Sequence, residues 1–307
     1  MKKKTIKPVF FGAFDGISCG QIAARRAGIY YSKYYSSELL MITTRNGIVK
    51  PNPVIDIVKY HFPDTIFVGD ITKINGYDYE DVDILLGGSP CQSFSNAGQR
   101  EGFDGTSRLF WEYVRLRSEM NPTYYLLENV VMKDKWIHII SDALGCEPYF
   151  INSLVVSAQS RPRLYWSNIP YTEIQDKKIV LGDVILGAIT GTGKHGKLNP
   201  LYNIVPGEKK WKNHGWEDNP YNKAYCLVRS VGHYKNTQGK VKLFTAEDCE
   251  VLQNIPVGYT GVTGLCKSKR IEALGNAWTV DVLVEAFFKN LPWATKTKFQ
   301  MKETLIS

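Results

Sequence analysis

The sequence predicts an α/β protein whose mostly parallel sheet is covered by helices on both faces. Three observations carry this reading. Short apolar runs recur from Lys7 to about Ile169, each punctuated by Gly, Pro or Asn or ending in an acid. Stretches with helical spacing separate them. A hydrophobic content of 44% and a charged content of 22% over 307 residues fit a chain that buries a real core.

Taken in order, PVFFGAF reads as a buried strand, and QIAARRAGI as a short helix closing at Gly28. YYSKYYSSE is a second strand. Pro53 starts the helix VIDIVKYHF, and TIFVGD follows as a third apolar run. DILLGGSP, YYLLENV and RLYWSNI are further strands, with SRLFWEYVRLRSEM and KWIHIISDALG as the helices between them. Alternation of this kind makes a parallel sheet. Beyond Asp183 the texture changes. Leu186 to Thr245 holds eight glycines, seven aromatics and little periodicity, which predicts a loop-rich lobe inserted into the first domain. Helical patterns return in EDCEVLQNI and TVDVLVEAFFKNL, expected to pack back on the sheet. The expected division is therefore residues 1–185 with 246–307 as one domain, and 186–245 as the lobe.

No stretch approaches the roughly 20 apolar residues of a membrane helix, and the MKKKTIK start lacks the apolar run of a signal peptide. Six scattered cysteines without a CxxC pair encode neither a zinc site nor a disulfide framework. A soluble protein in a reducing cytoplasm is expected. The net charge of +8 is unevenly placed: Leu186 to Thr245 carries 10 Lys and Arg against 3 Asp and Glu. That lobe is either a solvated basic surface or one that faces a polyanion.

Ligands of a parallel sheet sit beyond the carboxyl ends of its strands. After the first run comes FDGISCG, Phe14 to Gly20, where glycines let the backbone approach a ligand, although the dinucleotide fingerprint GxGxxG is absent. The second run ends in Glu38, placed to take both hydroxyls of a ribose. The third ends in Gly69-Asp70-Ile71, where an acid can accept from an adenine amino group. In that order they suggest an adenosine-containing ligand. The fourth run ends in Gly87-Gly88-Ser89-Pro90-Cys91-Gln92, a cysteine after a stiff proline and outside the apolar run. The fifth ends in Glu128-Asn129-Val130, a carboxylate that must be used or paired to follow YYLL. Gln159-Ser160-Arg161-Pro162-Arg163 opens the next run and brings two guanidiniums to the same rim. A Cys, a Glu and an Arg converging there suit nucleophilic catalysis on a nitrogenous ring.

PCQ, ENV, QSRPR and Gly275-Asn276-Ala277 resemble, in identity and order, the signature motifs of the S-adenosylmethionine-dependent DNA cytosine-5 methyltransferases. FTAEDCEVLQNIP is similar to the family segment before the last motif, and GGSPCQSFS, SRLFWEYVRL and ENVV resemble the catalytic domains of animal de novo enzymes. The first motif departs from the usual Leu-Phe-Cys/Ala-Gly pattern. The resemblance implies a Rossmann-like class I methyltransferase domain with a small, loop-rich target recognition domain, here in a stand-alone microbial or viral enzyme. It implies Cys91 as nucleophile, Glu128 at ring nitrogen 3, Arg163 at the ring carbonyl, and Arg161 supporting the thiolate or the rim. It implies a donor site of Phe14, Gly16, Glu38, Asp70, Ile71, Pro90, Leu109 and Asn276, with S-adenosyl-L-methionine as cofactor and no metal. Residues 93–105 would form a loop closing over the base, and Lys223, Arg229 and the Trp211/Trp216 region would contact DNA. Duplex DNA is the implied partner, and a cognate restriction enzyme fits the same system. Three other readings share parts of this pattern: a tRNA cytosine-5 methyltransferase, a catalytically silent DNA-binding homologue, and a folate-dependent enzyme acting on free deoxycytidylate.

Overall fold

The first apolar run becomes β1 (Val9–Ala13), with all five residues buried. Successive side chains of a strand point to opposite faces, and here both faces are covered. Phe10 joins one core and Phe11 the other. The computed structural model describes residues 7–43, 46–90, 109–194, 216–218, 221–227 and 232–295. Cys91, the segment 93–105, Trp211 and Arg229 lie outside the described residues.

After β1 come α1 (Cys19–Arg26), β2 (Lys33–Ser37), a hairpin of β3 (Met41–Thr43) and β4 (Val49–Pro51), α2 (Pro53–His61), β5 (Ile66–Phe67) and β6 (Ile84–Gly87). The second half adds α3 (Phe110–Met120), β7 (Tyr124–Val130), α4 (Asp134–Leu144), β8 (Tyr149–Asn152), β9 (Pro162–Ser167) and the short α5 (Leu181–Val184). The main sheet runs β5-β2-β1-β6-β7-β9-β8. Its first five strands are parallel, whereas β9 is antiparallel to both neighbours. The strand order reverses between β1 and β6, and such a switch point is where open α/β sheets bind ligands.

Two helical layers follow from the alternation. Ile84, Leu86 and Leu126 pack with α1 residues Ile22, Ala23 and Ala24. Leu85, Leu127 and Trp166 pack with Phe110, Tyr113, Leu116 and Met120 of α3 and with Ile140 and Leu144 of α4. The returning segment forms α6 (Ala246–Leu252), α7 (Lys267–Asn276) and α8 (Val280–Ala286). Helix α8 packs on α1, while α7 was not legible. Among the described residues no helix is long and apolar enough to cross a membrane.

The described part of the lobe includes strands that its texture did not announce. Its strands β10 (Ala188–Lys194), β11 (Trp216–Asp218), β12 (His233–Asn236) and β13 (Val241–Leu243) form a four-stranded antiparallel sheet in the order β11-β10-β12-β13. Gly191 in β10 is there for room: a Cβ would stand 2.6 Å from the Lys223 carbonyl oxygen. What looked like a loop glycine is a close backbone crossing.

Candidate active site

The loop after β1 is built from left-handed backbone, with Phe14, Gly16 and Ser18 at φ 56°, 54° and 60°. Two of these are not glycine, so the conformation needs outside support. Asp15 supplies it. Its carboxylate accepts from Ser18 Oγ at 2.7 Å, Tyr34 Oη at 2.7 Å and Ser36 Oγ at 2.8 Å. Burial raises the Asp15 carboxyl above its ordinary range, against the pull of these hydroxyls. Sequence reading passed over Asp15, although an acid between Phe14 and Gly16 at a buried strand end was its signal.

Glu38, at the end of β2, turns back to this loop. Its Oε2 accepts from Gly16 N at 3.0 Å, while Oε1 accepts from Leu39 N at 3.1 Å and Asn52 Nδ2 at 3.2 Å. Burial raises this carboxyl too, opposed first by the Gly16 N–H. Asp70 caps the 3-10 turn Ile71–Lys73 through Oδ1, which accepts from Thr72 N at 3.0 Å and Thr72 Oγ1 at 2.9 Å. Arg115 fixes the far side of that turn by donating to the Ile71 and Ile74 carbonyls at 3.1 and 2.9 Å. Phe14 and Leu109 pack against the α3-side core, Pro90 is half-buried, and Asn276 is exposed at the end of α7.

On the other side of the switch point stands the Glu128–Arg163 pair. Arg163 Nε lies 2.8 Å from Glu128 Oε1, with side chains 9% and 11% exposed. The antiparallel register explains the meeting. Glu128 pairs with Tyr165 and Val130 with Arg163, so Arg163 is the diagonal neighbour of Glu128. Because β9 runs against β7, the start of β9 reaches the rim where the parallel strands end. Asn129 Nδ2 donates to Ser89 Oγ at 3.1 Å and thereby ties the end of β7 to the segment after β6. A third group, unforeseen from the sequence, completes the cluster: Trp278 Nε1 donates to Glu128 Oε2 at 3.0 Å.

Arg161 is not part of that ion pair. Its Nη1 donates to the Leu227 carbonyl at 2.7 Å and contacts Cys226 Sγ at 3.5 Å. Its Nη2 donates to the Gly275 and Ala277 carbonyls at 3.0 and 2.9 Å. Arg161 is 3% exposed, and its guanidinium serves as a brace between β9, the lobe connection and the end of α7. Lys223 corrects an expectation. It is buried, and its ammonium donates to the Leu154, Ser157 and Ile179 carbonyls, so it faces the protein interior and not DNA. Trp216 stands in β11.

The reversed strand order, the antiparallel strand next to the far edge and the acid-lined rim define a Rossmann-like methyltransferase fold. The chain carries a C-5 cytosine-specific DNA methylase domain, the family's model matching residues 14–165. It is 32% identical over 175 residues to the type II methyltransferase M.NlaIV of Neisseria lactamica, a match covering 50% of this chain and 39% of that protein. It is 56% identical over 63 residues to M1.ScrFI of Lactococcus lactis subsp. cremoris, covering 20% and 16% respectively. The matched segments therefore span less than half the length of these curated relatives. Two solved structures share the fold. The Entamoeba histolytica methyltransferase EhMeth superposes with a TM-score of 0.63 at 13% identity, covering 91% of this chain and 96% of that one. A putative DNA modification methyltransferase from an E. coli prophage gives 0.61 at 17% identity, covering 92% and 98%.

Proposed function

We propose that this protein transfers a methyl group from S-adenosylmethionine to carbon 5 of a cytosine flipped out of duplex DNA, with Cys91 as the covalent nucleophile at carbon 6. The observation that carries the reading is the buried Glu128–Arg163 pair on β7 and β9, 2.8 Å apart. An ionised carboxylate has about four acceptor positions. Arg163 and Trp278 occupy one on each oxygen, which leaves capacity for the amino group and, once it is protonated, ring nitrogen 3 of a cytosine.

The residues of the β1 side fit the donor. Glu38 follows Gly16 at the spacing of about 20 residues at which an acid takes ribose hydroxyls in such folds. A Cβ added at Gly16 or Gly69 would meet nothing within 4 Å, so there is room beside both acids. Among the described residues, Asp70 Oδ1 serves Thr72 alone, and Oδ2 is left for an adenine amino group. When bound, the donor supplies an electrophilic methyl on a sulfonium.

Cytosine carbon 5 is too weak a nucleophile on its own. Addition of the Cys91 thiolate to carbon 6 moves electron density onto carbon 5, and Glu128 eases that addition through ring nitrogen 3. Arg163 stabilises negative charge developing on the ring carbonyl. Once carbon 5 is methylated, loss of its proton restores the ring's double bond and expels Cys91 as thiolate. The basic lobe, 186–245, holds the DNA phosphates. Cys91 takes its role from the PCQ motif.

The test is a trapping experiment with DNA carrying 5-fluorocytosine, whose fluorine cannot leave as a proton does. A denaturation-stable adduct is expected with the parent protein and none with Cys91→Ser. An adduct with Cys91→Ser overturns the assignment of the nucleophile. Labelled methyl transfer to tRNA or to deoxycytidylate, without transfer to duplex DNA, overturns the substrate.

A further inference from the structure

We infer that Trp278 is a positioning residue for Glu128: its indole N–H fixes the carboxylate that meets the target ring. The inference rests on the reading of Glu128 given above.

An indole nitrogen can only donate, so the 3.0 Å contact to Glu128 Oε2 has one possible sense. Arg163 donates to the other oxygen. Two donors from two separate segments, β9 and the turn after α7, therefore set the plane of the carboxylate. The ring is itself located. A Cβ at Gly88 would lie 2.8 Å from Trp278 Nε1 and 3.2 Å from Cε2 and Cζ2. Gly88 is not among the residues with left-handed backbone, so glycine is needed there for space alone.

The backbone on either side of the ring is equally held. The Ala277 carbonyl accepts from Arg161 Nη2 at 2.9 Å and from Gln253 Nε2 at 3.2 Å. Thr279 Oγ1 donates to Gln253 Oε1 at 2.9 Å, and Val280 N to the Gln253 carbonyl at 3.0 Å. The Trp278 carbonyl accepts from Cys19 Sγ at 3.7 Å. A side chain so anchored has little freedom to lose, and its N–H acts as a fixed donor to a charged group. Without it Glu128 keeps Arg163 but gains rotational freedom about the remaining contact.

Trp278→Phe keeps most of the ring and removes the donor. Its kcat should fall about tenfold to hundredfold, the equivalent of one charge-assisted hydrogen bond, with KM for DNA and donor within about twofold. Trp278→His, which restores a ring N–H, should recover most of the loss. On a Glu128→Gln background, in single turnovers with enzyme in excess, Trp278→Phe should change the rate little, since its effect runs through the carboxylate. Gly88→Ala should displace the indole and reproduce the kcat loss, yet cost little when Trp278 is already Phe. An unaltered kcat in Trp278→Phe overturns the inference, and so does an equal loss on the Glu128→Gln background. If Trp278→Phe fails to fold, Gly88→Ala and Trp278→His decide: parental kcat in Gly88→Ala overturns it. Full activity in Glu128→Gln is a different result, which defeats the reading of Glu128 itself.

Discussion

Arg161 Nη1 donates to the Leu227 carbonyl at 2.7 Å, and through this bond the strand bearing Arg163 is tied to the lobe connection. The two arginines, two positions apart in the same motif, thus do different work. Arg161→Lys should lower unfolding stability by about 1.5–3 kcal/mol for each charged hydrogen bond it cannot remake, with the smaller effect on kcat. Arg163→Met leaves Glu128 buried without its ion partner and should destabilise by about 3–5 kcal/mol, with activity lost. Urea unfolding and methyl-transfer rates on both variants check the split. A larger kcat loss from Arg161→Lys than from Arg163→Met would return Arg161 to the chemistry.

In the proposed donor site Glu38 is the carboxylate held by Gly16 N at 3.0 Å. Glu38→Ala should weaken S-adenosylmethionine binding by about 1.5–3 kcal/mol, with DNA affinity unchanged. Calorimetry with each ligand in turn measures both. Parental donor affinity with weakened DNA binding contradicts the assignment.

Lys223 belongs to the basic lobe by sequence and to the interior by structure. Lys223→Met should therefore keep the parental salt dependence of DNA binding, where a lost phosphate contact would flatten the slope by about 0.9. The variant should be less stable by about 1–3 kcal/mol, the cost of an unpaired carbonyl. Burial lowers the ammonium from its ordinary 10.5. Between the folded value and 10.5 the unfolded chain binds more protons, so the contribution of Lys223 to stability rises with pH there. Buried tyrosines such as Tyr34 and Tyr113, raised above their ordinary range, act in the opposite sense above pH 10. The difference in stability between parent and variant across alkaline pH isolates the lysine.

Thiol reactivity gives a separate check on the packing. Burial pushes Cys19 and Cys249 up to about 12. Cys266 is exposed, and the Ser268 hydroxyl, with the Lys269 N–H, holds it below the ordinary thiol range. Iodoacetamide at pH 8 should label Cys266 well before Cys19 and Cys249, which react only on unfolding. The Cys266 rate should reach its plateau at a lower pH than a free cysteine, because the thiolate forms earlier. Peptide mass spectrometry assigns the sites, and early labelling of Cys249 would contradict the core described here.

Legibility in the sequence followed burial. Strands β1, β6 and β7 are buried on both faces, so they read as unbroken apolar runs. The hairpin β3–β4 escaped because Met41 and Val49 are 49% and 61% exposed, and no core demanded a pattern. The lobe sheet escaped because β10, AITGTGK, carries two glycines, one of which makes way for the Lys223 backbone. Glu128 and Arg163 were legible as charges misplaced beside apolar runs. Their contact was not, because it depends on β9 reversing direction. Trp278 was hidden for another reason: an aromatic after a motif looks like packing until its N–H is seen to find a carboxylate 150 residues away.

That separation has a consequence for synthesis. Glu128 leaves the peptidyl-transferase centre 150 residues before its indole partner, roughly 8–30 s at ordinary elongation rates of about 5–20 residues per second. From the addition of Arg163 onward a nascent chain holds Cys91, Glu128 and Arg163, yet the Glu128 carboxylate lacks one of its two anchors until Trp278 follows. The Thr295 N–H, which donates to the Ala27 carbonyl at 3.2 Å, arrives later still and joins the final described segment to the first helix. Birth order thus works as a timer: the Glu128 carboxylate is not fully set on the ribosome until the lobe and α7 have been translated.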